Sequence, residues 1–209
     1  MNTLTDCRDC PRLAAFLDEV KAGNPGYYCK PVLPFGAANP RLLIVGLAPG
    51  MHGANRSGRP FTGDHAGILL YETLHRFGLS SRPVSASADD GLELINCRIT
   101  NAVKCLPPAN KPETAEIKQC NRHLGAELAA LQPGTAVLAL GNIAHAAVLM
   151  ALGLKPKAHA FGHGAVHDLP GGLRLYDSYH CSRYNTQTRR LTPEMFQAVF
   201  ARIVQDFKE

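Results

Sequence analysis

The residues best placed to do chemistry in this chain begin with its cysteines. Cys7 and Cys10 form a C-x2-C pair near the amino terminus, and Cys105 and Cys120 form a second pair with fourteen residues between them. Thiolates hold soft metals, and four of them in two groups suit a tetrahedral zinc or an iron–sulfur cluster; spacing does not choose between the two. The plainer alternative is that Cys105 and Cys120 are ordinary buried thiols. Cys97 lies in an apolar run and Cys29 in a loop rich in Gly, Pro and Tyr, while Cys181 directly follows His180. A nucleophilic cysteine meets its histidine through the fold rather than along the chain, so no catalytic thiol is expected.

Three further stretches carry candidate groups. Residues 46–64, GLAPGMHGANRSGRPFTGD, hold five glycines, which let backbone approach a ligand closely. No Gly-Lys-Ser/Thr follows, so this is not a phosphate-cradling loop, and the glycine spacing is wrong for a dinucleotide fingerprint. Within it Phe61 reads as an exposed loop aromatic able to stack on a flat ring. Asp64 opens a helical pattern, either as a cap or as a carboxylate at the mouth of a site. Asn101 offers a donor and an acceptor, enough to pair two positions on a base edge, although an Asn after a strand is often a turn residue. His180 ends an apolar run and leads into a polar loop bearing Arg183, Tyr184, Arg189 and Arg190 without an acid. That suits anion stabilisation and phosphate contact, against the alternative of a structural histidine and a solvated basic loop. His159, His163 and His167 recur every four residues, but Gly162 and Gly164 argue against a helix there, and no second metal is expected.

Those groups need elements to position them. Apolar runs at 42–46, 94–99, 136–140 and 173–176 read as buried strands, and helical spacing covers 64–77, 112–131 and 142–152. The last helix is the clearest: Thr192 is placed as N-cap and Pro193 as first residue, with Phe196, Val199, Phe200, Ile203, Val204 and Phe207 along one face. Near-continuous apolar strands alternating with helices predict a parallel sheet covered on both faces, with ligands beyond the carboxyl ends of the strands. The 209 residues, 45% hydrophobic and 19% charged, suffice for one domain over residues 1–209. No apolar run is long enough to span a membrane, and the first residues lack a signal-peptide pattern, so a soluble, intracellular chain without a membrane role is expected. An odd count of seven cysteines argues against a disulfide framework, and the net charge of +5 is compatible with nucleic acid without demonstrating it.

Taken together, these motifs resemble the uracil-DNA glycosylase superfamily, and most of all its iron–sulfur, broad-specificity family 5 (type B) branch. The resemblance spans nearly the whole chain. Its carrying residues are Gly46-Leu47-Ala48-Pro49-Gly50, His52-Gly53, Asn55-Arg56 and Gly58-Arg59-Pro60-Phe61-Thr62-Gly63-Asp64. With them go Asn101-Ala102-Val103-Lys104-Cys105, His180, Ser182, Asn185-Thr186 and Leu191-Thr192. It implies a three-layer α/β/α sandwich around a four-stranded parallel sheet, and a [4Fe-4S] cluster on Cys7, Cys10, Cys105 and Cys120. It implies that Phe61 stacks on a flipped base, that Asn101 reads its edge beside Gly50 and His52, and that Asp64 and His180 are the catalytic pair. Arg56, Arg183 and Tyr184 would contact DNA. The implied activity is base-excision repair of DNA containing uracil, hypoxanthine or xanthine, by a monomer in a prokaryotic-type cytoplasm, associated with the nucleoid.

Two departures bear on this reading. Related branches carry an acid or amide just inside the first motif to activate water; here Leu47 follows Gly46, which leaves Asp64 as the best carboxylate. Cys181 stands where relatives often carry Pro or an apolar residue. Rival readings are a cluster-bearing redox or sensor protein, a lesion-binding protein without turnover, and a zinc-bearing nucleotide hydrolase. The first explains the cysteines but not the 46–64 loop or the strand-end His180 and Asn101, and the retained Asp64 and His180 count against the second.

Overall fold

The computed structural model describes residues 4–207. In chain order its elements are α1 (Pro11–Gly23), β1 (Phe35–Gly36), β2 (Leu42–Gly46), α2 (Ala54–Ser57), α3 (His65–Arg76) and β3 (Cys97–Asn101). They continue with α4 (Thr114–Ala129), β4 (Ala136–Leu140), α5 (Asn142–Ala151), β5 (Val166–Leu169), β6 (Leu173–Ser178), α6 (Arg183–Gln187) and α7 (Pro193–Asp206). The sheet runs β1-β3-β2-β4-β6-β5. Its four inner strands are parallel, as expected, and the expectation is corrected at the edges, where short β1 and β5 pair antiparallel. Short antiparallel edges are a common finish to a parallel sheet, and neither has the continuous apolar pattern that marks the inner strands.

Successive strand residues point to opposite faces, so each inner strand feeds two cores. Leu42, Ile44, Ile99, Leu138 and Tyr176 pack on one face against Leu70 and Leu74 of α3 and Phe196, Phe200 and Ile203 of α7. Leu43, Val45, Val137, Ala139 and Leu175 pack on the other against Leu124 and Leu128 of α4 and Ala147, Val148 and Leu149 of α5. The result is the three-layer α/β/α arrangement. Capping follows the sequence closely: Thr192 accepts from the Met195 amide at 3.2 Å with Pro193 behind it, and Asp64 accepts from the Gly67 amide at 2.8 Å.

Two boundaries differ from expectation. The run 94–99 divides because Asn96 takes a left-handed φ of 53°, so the strand starts at Cys97 and runs on to include Asn101. The helix expected from 112 starts at Thr114, where the Glu113 amide donates to the Glu116 carboxylate at 2.7 Å, and Pro112 lies outside it. Three helices were missed: the short α2 and α6, both read as loop, and α1, whose Pro11 start and buried Leu13, Leu17 and Val20 give a readable pattern. Among the described residues no helix is long and apolar enough to cross a membrane.

Candidate active site

The carboxyl ends of β2, β3 and β6 open into a cavity of about 410 Å³, lined among others by Leu47, Gly50, Phe61, Asp64, Asn101 and His180. A cavity of this size suits a small planar ligand. Asn101 closes β3 in register with Gly46 of β2, its side chain buried and its Oδ1 without a hydrogen-bond partner. A buried acceptor left unpaired costs about 1–3 kcal/mol, so this atom is poised for something that enters the cavity. Lys104, which sequence reasoning missed, fixes it from behind. Its buried ammonium donates to the Asn101 carbonyl at 2.8 Å, to Thr100 Oγ1 at 2.6 Å and to Glu127 of α4 at 2.7 Å. A buried lysine with three acceptors has no signature in a linear pattern.

Phe61 corrects the expectation of an exposed loop aromatic: it is only 5% exposed and forms a wall of the cavity. Its φ of 56° is left-handed, a strained backbone for a bulky residue. Neighbouring bonds hold it there. The Tyr71 hydroxyl donates to the Pro60 carbonyl at 2.9 Å, and Arg59 is anchored to Asp90 at 2.7 Å and to the Ala88 carbonyl at 2.6 Å. Its ring stacks against His180, centroids 6.0 Å apart. Gly46 makes this possible, since a Cβ there would lie 2.4 Å from Asn101 Oδ1 and 2.7 Å from the Phe61 ring.

Asp64 both caps α3 and faces the cavity, so the two readings of this residue coincide. Among the described residues lining the cavity it is the one carboxylate. Burial pushes its carboxyl above the usual carboxylate range, with the Gly67 amide pulling back. Gly53 leaves room for it; a Cβ there would come within 2.7 Å of Asp64 Oδ2. His180 follows β6, and Asn185 donates to its carbonyl at 2.8 Å. Desolvation pushes the His180 imidazole down to about 4, so it is neutral at physiological pH.

The residues expected to touch DNA divide. Arg183 lines the cavity and starts α6, so the expected basic loop is corrected to a short helix capped by Ser182, which accepts from the Asn185 amide at 3.4 Å. Tyr184 is 71% exposed beside it. His52 and Arg56 are exposed on the same glycine-rich loop but do not line the cavity, and Tyr27 pairs with His52 Nδ1 at 2.8 Å. Asn110, at a left-handed φ of 56° after β3, does line it and was not anticipated; a lone loop Asn gives no warning.

Cys7, Cys10, Cys105 and Cys120 line a second, small cavity where the N-terminal segment meets the start of α4, together with Arg8, Lys104 and Arg122. All four are free thiols. Burial first, and then the neighbouring sulfurs, push Cys10 up to about 11 and Cys105 up to about 12. The Lys104 amide donates to Cys120 Sγ at 3.3 Å and Arg122 to Cys7 Sγ at 3.7 Å, contacts that favour thiolate charge. No three of these sulfurs lie within 4.8 Å of one another.

The description of the uracil DNA glycosylase superfamily matches residues 33–204. The chain is 50% identical to a type-5 uracil-DNA glycosylase of Thermus thermophilus, over 95% of this chain and 93% of that protein. It is 44% identical to one of Pyrobaculum aerophilum over 99% and 91%, and 45% identical to one of Mycobacterium bovis over 93% and 75%. A cavity at the strand ends walled by Phe61 and Asn101, with Asp64 and His180 at its mouth, thus accompanies similarity along almost the full length: the chain belongs to the uracil-DNA glycosylase superfamily, within its type-5 branch.

Proposed function

We propose that this chain is a monofunctional DNA glycosylase that hydrolyses the N-glycosidic bond of uracil in DNA, and of other deaminated bases such as hypoxanthine and xanthine, leaving an abasic site. The observation that carries this reading is the unpaired, buried Oδ1 of Asn101 beside the Phe61 ring. A base edge that presents an N–H next to a carbonyl satisfies both halves of that amide, while the base face lies on Phe61. The base reaches this depth only by leaving the stack.

Scission builds positive charge on the deoxyribose and negative charge on the leaving base. Neutral His180 donates an N–H to the base oxygen as that charge grows, a contact strengthened by the dry surroundings that keep the ring neutral. Asp64 favours the cationic sugar and orients the water that adds to C1′; its raised pKa makes it the stronger base when ionised. Arg183 contacts phosphate and Tyr184 fills the gap the base leaves. Leu47 in place of an acid or amide leaves an apolar wall at the first motif, which supports a wider choice of bases.

Cys7, Cys10, Cys105 and Cys120 would hold a [4Fe-4S] cluster, which supplies a cross-link between the amino-terminal segment and the loop after Asn101. Four thiols in two pairs, with Arg8, Lys104 and Arg122 around them, suit an anionic thiolate-held group. The DNA is bound by a single copy of the chain.

Base release from matched duplexes containing uracil, hypoxanthine or xanthine, with alkali to cleave abasic sites, tests the reading. Cleavage at uracil and at a deaminated purine is the expected result. Cleavage at uracil alone overturns the broad specificity, and no cleavage by folded, iron-containing protein overturns the activity.

A further inference from the structure

On the face of the sheet that packs against α4 and α5 lies a cluster that the glycosylase reading does not use. His145 of α5 and Asp177 of β6 are almost fully buried, and His167 of β5 has 16% of its side chain exposed. His145 Nδ1 lies 2.8 Å from Asp177 Oδ1, and His167 Nε2 lies 3.5 Å from Asp177 Oδ2. One ligand atom from each of the three falls within 4.8 Å of the others.

The hydrogen bonding narrows what can sit among them. His145 Nε2 lies 2.8 Å from the His159 carbonyl, which only accepts, so the proton of the neutral ring is on Nε2. Nδ1 then turns a lone pair toward a carboxylate oxygen, and two lone pairs at 2.8 Å require a cation between them. A shared proton answers that need but leaves His167 Nε2 and His159 Nδ1 as buried nitrogens without partners. Each such atom is unfavourable to bury without a partner. A metal ion held among His145 Nδ1, Asp177 and His167 Nε2 answers that need and gives His167 Nε2 a partner. A histidine whose other ring nitrogen donates to a backbone carbonyl is the usual orientation of a metal-bound imidazole. In a tetrahedral zinc site with bonds of about 2.0–2.1 Å, ligand atoms stand about 3.3 Å apart, and the two observed separations bracket that value.

We propose that His145, His167 and Asp177 form a binding site for one divalent cation of the zinc class, separate from the cysteines and from the cavity. Two imidazoles and a carboxylate exclude magnesium and calcium as natural occupants, and the absence of sulfur among these three ligands disfavours copper(I). His159, whose ring centre lies 5.5 Å from that of His167, is the nearest imidazole for a fourth position. The ion pins edge strand β5 and helix α5 to the end of β6, three residues before His180, so its role is structural. This site does not depend on the proposed activity.

The test uses full-length, iron-containing protein equilibrated with zinc sulfate, dialysed, and assayed for iron and zinc together, with X-ray absorption at the zinc edge and a thermal melt. Expected are one zinc per chain with unchanged iron, a nitrogen and oxygen shell without sulfur, and a higher melting temperature with zinc. His167→Gln, at the least buried of the three positions, should weaken zinc binding by about tenfold or more and abolish the zinc-dependent rise in melting. Asp177→Asn is the second variant, read in the same way if it folds. No retained zinc, a sulfur-containing shell, or equal retention in His167→Gln would overturn the site.

Discussion

At the scale of single residues, the candidate site rests on two groups that burial moves in opposite directions. The Asp64 carboxyl is raised, so its ionised form is disfavoured in the fold relative to the unfolded chain. Stability tied to its protonation is present at low pH and lost as pH rises through the folded pKa. Asn caps a helix as well as Asp does. Asp64→Asn should therefore melt at or above the temperature of the unchanged protein at neutral pH, while base release from a uracil duplex falls by about a hundredfold or more. A variant retaining full activity would remove Asp64 from the mechanism. The same shift predicts that the acid limb of the pH–rate profile lies above the ordinary carboxylate range. His180 runs the other way. Its folded pKa of about 4 lies below the ordinary 6.5, so the unfolded chain binds more protons between those values and stability falls as pH drops through that window. His180→Gln should flatten that loss, worth up to about 3 kcal/mol, when urea unfolding is compared at pH 7 and pH 4.5. It should also lower the rate by about 10²–10³ at pH 7.

At the scale of elements, the strand ends do the positioning, and Gly46 is a tight spot among them. A Cβ there meets the Asn101 oxygen and the Phe61 ring closer than real contacts allow. Gly46→Ala should cost about 1–3 kcal/mol of stability, and it should lower base release more than melting suggests, because both displaced groups line the cavity. The parallel strands at 42–46 and 136–140 were legible because they are apolar along their whole length, the last one only as far as Tyr176 of 173–178, and α7 because cap, proline and stripe agree. β1 and β5 were not: edge strands of two and four residues lack that pattern. The site was legible where residue type limits the chemistry, as for Asp64, Asn101 and His180. It was illegible where burial decides. Phe61 read as exposed because a glycine-rich loop looks like surface, and the role of Lys104 was hidden because its burial and its link to Glu127 of α4 arise only in the fold. The histidine spacing at 159, 163 and 167 was set aside because Gly162 and Gly164 argue against a helix; His159 and His167 indeed share no helix, and His167 meets His145 and Asp177 only through the fold.

At the scale of the whole molecule, the four-cysteine cavity lies where the amino-terminal segment meets α4 and the loop after β3. α1 contributes Leu13, Leu17 and Val20 to small clusters with Val103, Leu106 and Cys120, apart from the two main cores. Polar links add to these: the Arg12 guanidinium on both Glu116 oxygens at 2.7 Å, the Asp9–Arg122 ion pair, and the Val32 amide donating to the Lys104 carbonyl at 2.7 Å. The superfamily match also begins only at residue 33, after this segment. The proposed cluster, bridging Cys7 and Cys10 to Cys105 and Cys120, would close a loop of roughly a hundred residues, worth about 4–5 kcal/mol in chain-entropy terms. For a chain of this size that corresponds to about 10 °C or more of melting temperature. Cys120→Ala should lose iron and melt lower by about that amount. The loss should also be local, since the sheet and its two cores do not depend on the thiols. Limited proteolysis of the iron-free variant should cut first within residues 4–34, leaving the remainder folded. The damage should then reach Asn101, because Lys104 links the Asn101 carbonyl to α4 next to Cys105. Base release should fall even where the trimmed protein remains folded. Iron-free protein with a protected amino terminus and unchanged melting would show that α1 is held by its own packing, and that the thiols contribute nothing to the frame around the base cavity.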